Sequence, residues 1–183
     1  MNKAGANRHF SARGIALTGM LSAMYAVISQ FSLQLPSGVP LTFQCFAIVL
    51  GAFAVGTRCG VMSTLVYIAV GAAGLPVFSA LRGGVDVLIG VTGGFIWGFI
   101  AIAAICGIAA AAAPRVKVAA ACASVLICHA VGVLQFAFVL DTDIASAFLT
   151  ASAPYLLKDI ILSIAASYMS TPIRLALRKE KGI

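Results

Sequence analysis

Three stretches of this chain, Gly14 to Leu35, Val87 to Pro114 and Val118 to Leu140, carry no charged residue, and each is long enough to cross about 30 Å of hydrocarbon as a helix. In lipid, only a helix or a closed barrel satisfies its own backbone polar groups. Runs of this length without strand-like alternation point to helices. The rest of the chain agrees: of 183 residues, 62% are hydrophobic and 9% charged, where soluble domains carry about 25% charged residues. The expectation is an all-α integral membrane protein with six transmembrane helices, a single membrane domain over residues 1–183 that leaves no room for a soluble one.

The expected spans are 14–35, 42–55, 61–73, 92–113, 118–140 and 154–177. The first follows Lys3, Arg8 and Arg13 as a signal peptide would, but it is too long and more spans follow it. It ends at the turn Leu35-Pro36-Ser37-Gly38-Val39-Pro40, and Gly56-Thr57-Arg58-Cys59-Gly60 turns the chain between the second and third. Both of those are short for the bilayer, which implies tilt, thinning or ends buried in protein. The loop 74–91 holds Pro76, Gly83, Gly84 and two charges, so it is not lipid-facing helix and is expected to fold back and line a site. Arg115 and Lys117 close the fourth span, and Asp141 and Asp143 open a loop with a short surface helix from Ile144 to Ala151. Pro154 stands in the first turn of the sixth, a favourable position for proline.

Charge gives the bundle a direction, because Lys and Arg near span ends are retained in the cytoplasm. With both termini inside, Lys3, Arg8, Arg13, Arg58, Arg115, Lys117, Arg174, Arg178, Lys179 and Lys181 lie on the inner side, ten of the twelve basic residues. Arg82 and Lys158 fall outside with Asp86, Asp141, Asp143 and Asp159, while Glu180 alone of the acids is inside. The same distribution explains the net charge of +7 as topology and argues against nucleic acid as a partner, which needs basic groups clustered on a soluble face. Cys45, Cys59, Cys106, Cys122 and Cys128 match no metal or CxxC spacing and read as inert small residues.

An ionisable group near membrane depth is a functional candidate. Asp159 leads, because its helical face continues through Ser163, Ala166 and Ser170, suited to protein or a cavity; Lys158 points about 100° away. The competing reading has Lys158 reaching the outer headgroups and Asp159 resting in the interface. Gln44 is an amide in an apolar context, Tyr67 is a candidate ring contact or core aromatic, and His129 reads as a hydrogen-bonded core histidine. No phosphate-binding loop, zinc-protease or serine-hydrolase motif occurs, so an enzyme is disfavoured and neither cofactor nor metal is expected. A small membrane enzyme with a dispersed site of Asp159, His129 and Lys158 stays open, as does a purely structural subunit. Gly19 with Ala23, and Ser22 with Ala26, are small-xxx-small pairs on the first helix.

The segments Gly38-Val39-Pro40-Leu41-Thr42-Phe43-Gln44, Gly71-Ala72-Ala73-Gly74-Leu75-Pro76-Val77-Phe78, Gly83-Gly84, Gly90-Val91-Thr92-Gly93-Gly94-Phe95 and Pro154-Tyr155-Leu156 before Asp159 resemble, in order, the BioY family. These are the biotin-specific substrate-binding components of energy-coupling factor transporters. The resemblance implies capture of biotin, a vitamin, from outside the cell. It also implies partners: a membrane coupling subunit that docks on Gly19, Ala23, Ser22 and Ala26, and a pair of cytoplasmic ATPases. It implies a binding site from Asp159, Gln44, Tyr67, Arg82, Phe78, Lys158, Thr42 and Gly84. In the chemistry of biotin, Asp159 would accept from the ureido N–H groups, Gln44 would serve the remaining polar atoms, and Tyr67 and Phe78 would pack on the rings. Arg82 or Lys158 would meet the carboxylate. Two departures stand out. The family lysine three residues after the aspartate is Leu162 here, and Val91 replaces a proline. A component for another vitamin or a biotin precursor is the nearest alternative.

Overall fold

The computed structural model of the protein describes residues 11–33 and 38–179. Lys3, Arg8, Leu35, Pro36, Ser37, Glu180 and Lys181, used above for topology or for the first turn, lie outside them. The described chain is mostly helical: α1 (Ala12–Gln30), α2 (Gln44–Val55), α3 (Thr57–Ala72), α4 (Val85–Ile89), α5 (Gly93–Ile108), α6 (Pro114–Leu140), α7 (Ile144–Ala151) and α8 (Ala153–Lys179). Two-residue strands, β1 (Ser32–Leu33) and β2 (Leu41–Thr42), pair antiparallel with Ser32 opposite Thr42. Four helices, α1, α5 with its 3-10 extension, α6 and α8, are long and apolar enough to cross a membrane.

The boundaries differ from expectation where local chemistry overrides hydropathy. The first span was expected to reach Leu35, yet α1 stops at Gln30, whose amide turns onto the Ala26 carbonyl while the following residues enter the hairpin. The second was expected from Thr42, which instead belongs to β2. The turn expected over residues 56–60 is made by Gly56 alone, at a φ of +89° that side-chain-bearing residues rarely adopt. Arg58, Cys59 and Gly60 are therefore inside α3, where Gly60 allows the Ala52 backbone to approach. Arg115 and Lys117 do not close a span; they sit in the first turns of α6, which begins at Pro114. Within the loop 74–91 the chain forms a 3-10 turn, Ser79–Leu81, and α4. The short helix from Ile144 to Ala151 is present as expected, capped by the Asp143 carboxylate accepting from the Ser146 N–H.

Helix α2 is the axis of the bundle. It packs on α8, α5, α3 and α1, and Ala47, Ile48, Val49, Ala52 and Phe53 are wholly buried. That explains how a mainly apolar helix of only 12 residues is held in place: protein packs around it. Around it, Ser22 of α1 donates to the Ser63 carbonyl of α3 at 2.8 Å, and Arg174 of α8 donates to the Phe53 and Ala54 carbonyls at the end of α2. Lys117 is buried at the same end, donating to Ser170 Oγ at 2.6 Å and standing 4.8 Å from the Phe53 ring centre. Outside, large apolar side chains face away from the bundle; Phe138 is 86% exposed and Ile108 76%. Such a surface suits acyl chains rather than water.

The most extensive helix contact joins α5 and α6. A Cβ added at Gly98 would stand 2.7 Å from the Cys128 Cα, and one at Gly94 2.5 Å from the Val131 carbonyl oxygen. The spacing Gly94-xxx-Gly98 is a small-residue crossing that sequence reading overlooked in favour of α1. It brings Phe95 edge-on to His129, with ring centres 5.5 Å apart.

Candidate functional site

Where the starts of α2, α5 and α8 meet the loop between α3 and α5, the bundle leaves a partly open cavity of about 560 Å³, counting its mouth. Apolar walls come from Phe78, Phe95, Ile96 and Phe99; polar groups come from Thr42, Gln44, Ser79, Thr92, His129, Tyr155, Lys158 and Asp159.

Asp159 is 6% exposed and is the polar centre. Its Oδ1 lies 2.8 Å from Lys158 Nζ, and its Oδ2 lies 3.3 Å from His129 Nε2. Although α8 projects Lys158 and Asp159 about 100° apart, the long lysine stem folds back, donates to the Thr42 carbonyl and stands 5.8 Å from the Phe43 ring centre. The lysine is thus held by β2 and does not reach out to headgroups. Ser163 and Ala166, on the Asp159 face, are wholly buried as the stripe required.

Gln44 opens α2 and lines the cavity, with its Nε2 donating to Tyr67 Oη at 2.7 Å. Tyr67 stands behind the wall, edge-on to Phe78 with ring centres 5.5 Å apart. Phe78 reaches this place because Gly71 has no side chain; a Cβ there would stand 2.2 Å from the Phe78 ring. Tyr67→Phe should lower thermal stability by about 1–2 kcal/mol, because the buried Gln44 amide then loses its acceptor. Unchanged melting would show that the bond contributes nothing.

Six of the eight expected site residues thus come together, five at the cavity wall and Tyr67 immediately behind it. Arg82 and Gly84 do not line it. Arg82 is half-buried in the overlying loop with Nε 3.4 Å from the Ser79 carbonyl, and the Gly84 N–H donates to the Gly71 carbonyl at 2.7 Å, tying that loop to α3. His129 is the hydrogen-bonded core histidine that sequence reading expected, but its acidic companion lies 30 residues away and its place at the cavity wall was not foreseen; Thr92, Phe95 and Tyr155 were missed, their only signal being the quoted motifs that contain them. Among the described residues, no three His, Cys, Asp or Glu side chains gather as a metal site. All five cysteines are free.

Comparison with known proteins places the chain. The model of the BioY family matches residues 1–179. The biotin transporter BioY of Thermotoga maritima is 31% identical over 164 residues, covering 88% of this chain and 96% of that protein. A probable biotin transporter BioY of Pyrococcus horikoshii is 29% identical over 82% of this chain and 89% of its own length. Among solved structures, the S-component for biotin from an ECF-type ABC transporter superposes with a TM-score of 0.79 over 91% of each chain, at 19% identity, and so shares the fold.

Proposed function

The chain belongs to the BioY family, and on that premise we propose that it binds biotin in the cavity around Asp159. It is a membrane transport protein for biotin uptake, not an enzyme. The observation that carries the site is the Lys158–Asp159 pair at the cavity wall, the carboxylate buried and the lysine partly so. A ureido group presents N–H donors beside a carbonyl acceptor; an ammonium next to a carboxylate offers the complementary acceptor and donor. Lys158 therefore supplies the cation that Leu162 does not, from one residue before the aspartate. Phe78, Phe95 and Phe99 receive the apolar rings, and Gln44 and Thr42 face the remaining polar atoms. With Lys158 engaged at the ureido end, Arg82 in the roof is the cation left for the valerate carboxylate at the mouth, and Gly84 anchors that roof.

In this reading residues 1–183 form one membrane domain. Six helices, α1, α2, α3, α5, α6 and α8, cross the plasma membrane, both termini are cytoplasmic and the cavity faces outward. Charge asymmetry supports that orientation. The partners are a membrane coupling subunit and a pair of cytoplasmic ATPases of an energy-coupling module; no cofactor takes part. Of the two small-residue pairs on α1, Ser22 and Ala26 face the bundle, whereas Gly19 and Ala23 are exposed beside Ile15 and Val27. A Cβ at Gly19 would meet nothing within 4 Å. That open stripe suits a close helix partner. Gly19→Leu should leave biotin affinity within about twofold while uptake with the assembled module falls at least about tenfold; equal uptake would exclude this face as the dock.

Thermal stabilisation of the purified protein tests the ligand. At about 100 times its dissociation constant, biotin should add about 2.7 kcal/mol. No stabilisation by biotin, with stabilisation by thiamine or riboflavin, would reassign the substrate.

A further inference from the structure

The carboxylate of Asp159 is held asymmetrically. Oδ2 faces His129 Nε2 at 3.3 Å, and His129 Nδ1 lies 2.8 Å from Ser152 Oγ. All three residues are buried, with exposures of 6%, 4% and 0%, and they come from α8, α6 and the junction between α7 and α8. A nitrogen beside a carboxylate carries the proton, so Nε2–H donates to Oδ2 and the Ser152 hydroxyl donates to Nδ1. Oδ1 is different. It is buried and accepts no aligned hydrogen bond, although Lys158 Nζ stands 2.8 Å away. A buried acceptor left open at a cavity wall is poised for a ligand donor.

We propose that Ser152 and His129 form a positioning relay that fixes the Asp159 carboxylate through Oδ2 and leaves Oδ1 as the acceptor for a ligand N–H, so that the relay selects ligands carrying such a donor. The proposal rests on the biotin reading above. His129 is a positioning residue: its effect reaches the ligand through Asp159. Phe95, edge-on to the imidazole, and Ser152 fix the ring plane from opposite sides of the sequence, which leaves the carboxylate little freedom to rotate Oδ1 away.

The test crosses side chain against ligand atom. Affinities for biotin and for its ureido N-methyl analogue are measured on the purified wild type, His129→Leu, His129→Gln and Ser152→Ala. Wild type should prefer biotin over the methylated ligand. In His129→Leu that preference should shrink at least about tenfold, with His129→Gln restoring most of it, since its amide donates to Oδ2. Ser152→Ala should fall between, about threefold. A preference unchanged in His129→Leu and Ser152→Ala, even with weaker overall binding, would make His129 a packing residue and overturn the relay while biotin binding stands. If His129→Leu does not fold, Ser152→Ala decides on the same ratio. Absence of biotin binding by wild type would overturn the ligand reading and the relay together.

Discussion

Asp159→Asn is expected to weaken biotin binding about a hundredfold while leaving a folded protein. The substitution keeps the shape and removes the charge. Hydrogen bonds to a charged acceptor contribute about 1.5–3 kcal/mol, and the upper end corresponds to roughly two decades of affinity. The new amide must also turn its NH2 toward either Lys158 Nζ or His129 Nε2, where the carboxylate had presented an oxygen to each. Removing one partner of a buried pair is costly, about 3–5 kcal/mol, but Lys158 is only partly buried and keeps the Thr42 carbonyl, so the loss of stability should be smaller. Titration calorimetry on wild type and variant checks this. Equal affinities would remove the carboxylate from the site.

Gly98→Leu should destabilise the protein by about 3 kcal/mol and abolish stabilisation by biotin. A Cβ alone would stand 2.7 Å from both the Cα and Sγ of Cys128, and backbone cannot yield as a side-chain tip does. Overpacking of this kind costs about 1–3 kcal/mol, and an isobutyl group placed against a helix backbone belongs at the top of that range. The damage reaches the site because the same crossing sets Phe95 against His129. The contrast with Gly19→Leu is informative, since that exposed position should tolerate the same change without loss of fold or ligand. Melting curves with and without biotin measure both; a wild-type melting point for Gly98→Leu would mean that α5 and α6 do not cross this closely.

Hydropathy and charge were enough to read a helical membrane protein, the approximate limits of its helices and the surface helix from Ile144 to Ala151, because each depends on local composition. Motif order added the family. The errors fell where one residue's backbone or reach decides: Gly56 turns the chain alone, Gln30 ends α1, and Pro114 begins a helix whose first turns contain the basic residues assigned to a loop. Asp159 and Gln44, which the fold brings to the cavity wall, were legible as candidates because ionisable and amide groups are conspicuous in an apolar chain; Phe78 entered only with the resemblance.

What the sequence determined by itself is the solvent: uncharged runs require a bilayer, and the segregation of Lys and Arg from Asp is the basis of the orientation proposed above. Tertiary structure decided which polar groups meet. Helical spacing set Lys158 apart from Asp159, but a flexible stem held by Thr42 closed the gap, and His129 gained its acidic partner from a helix 30 residues on. Those pairings depend on how closely α5, α6 and α8 approach; between α5 and α6 that distance is set by Gly94 and Gly98, a spacing that does not by itself name the helix it meets.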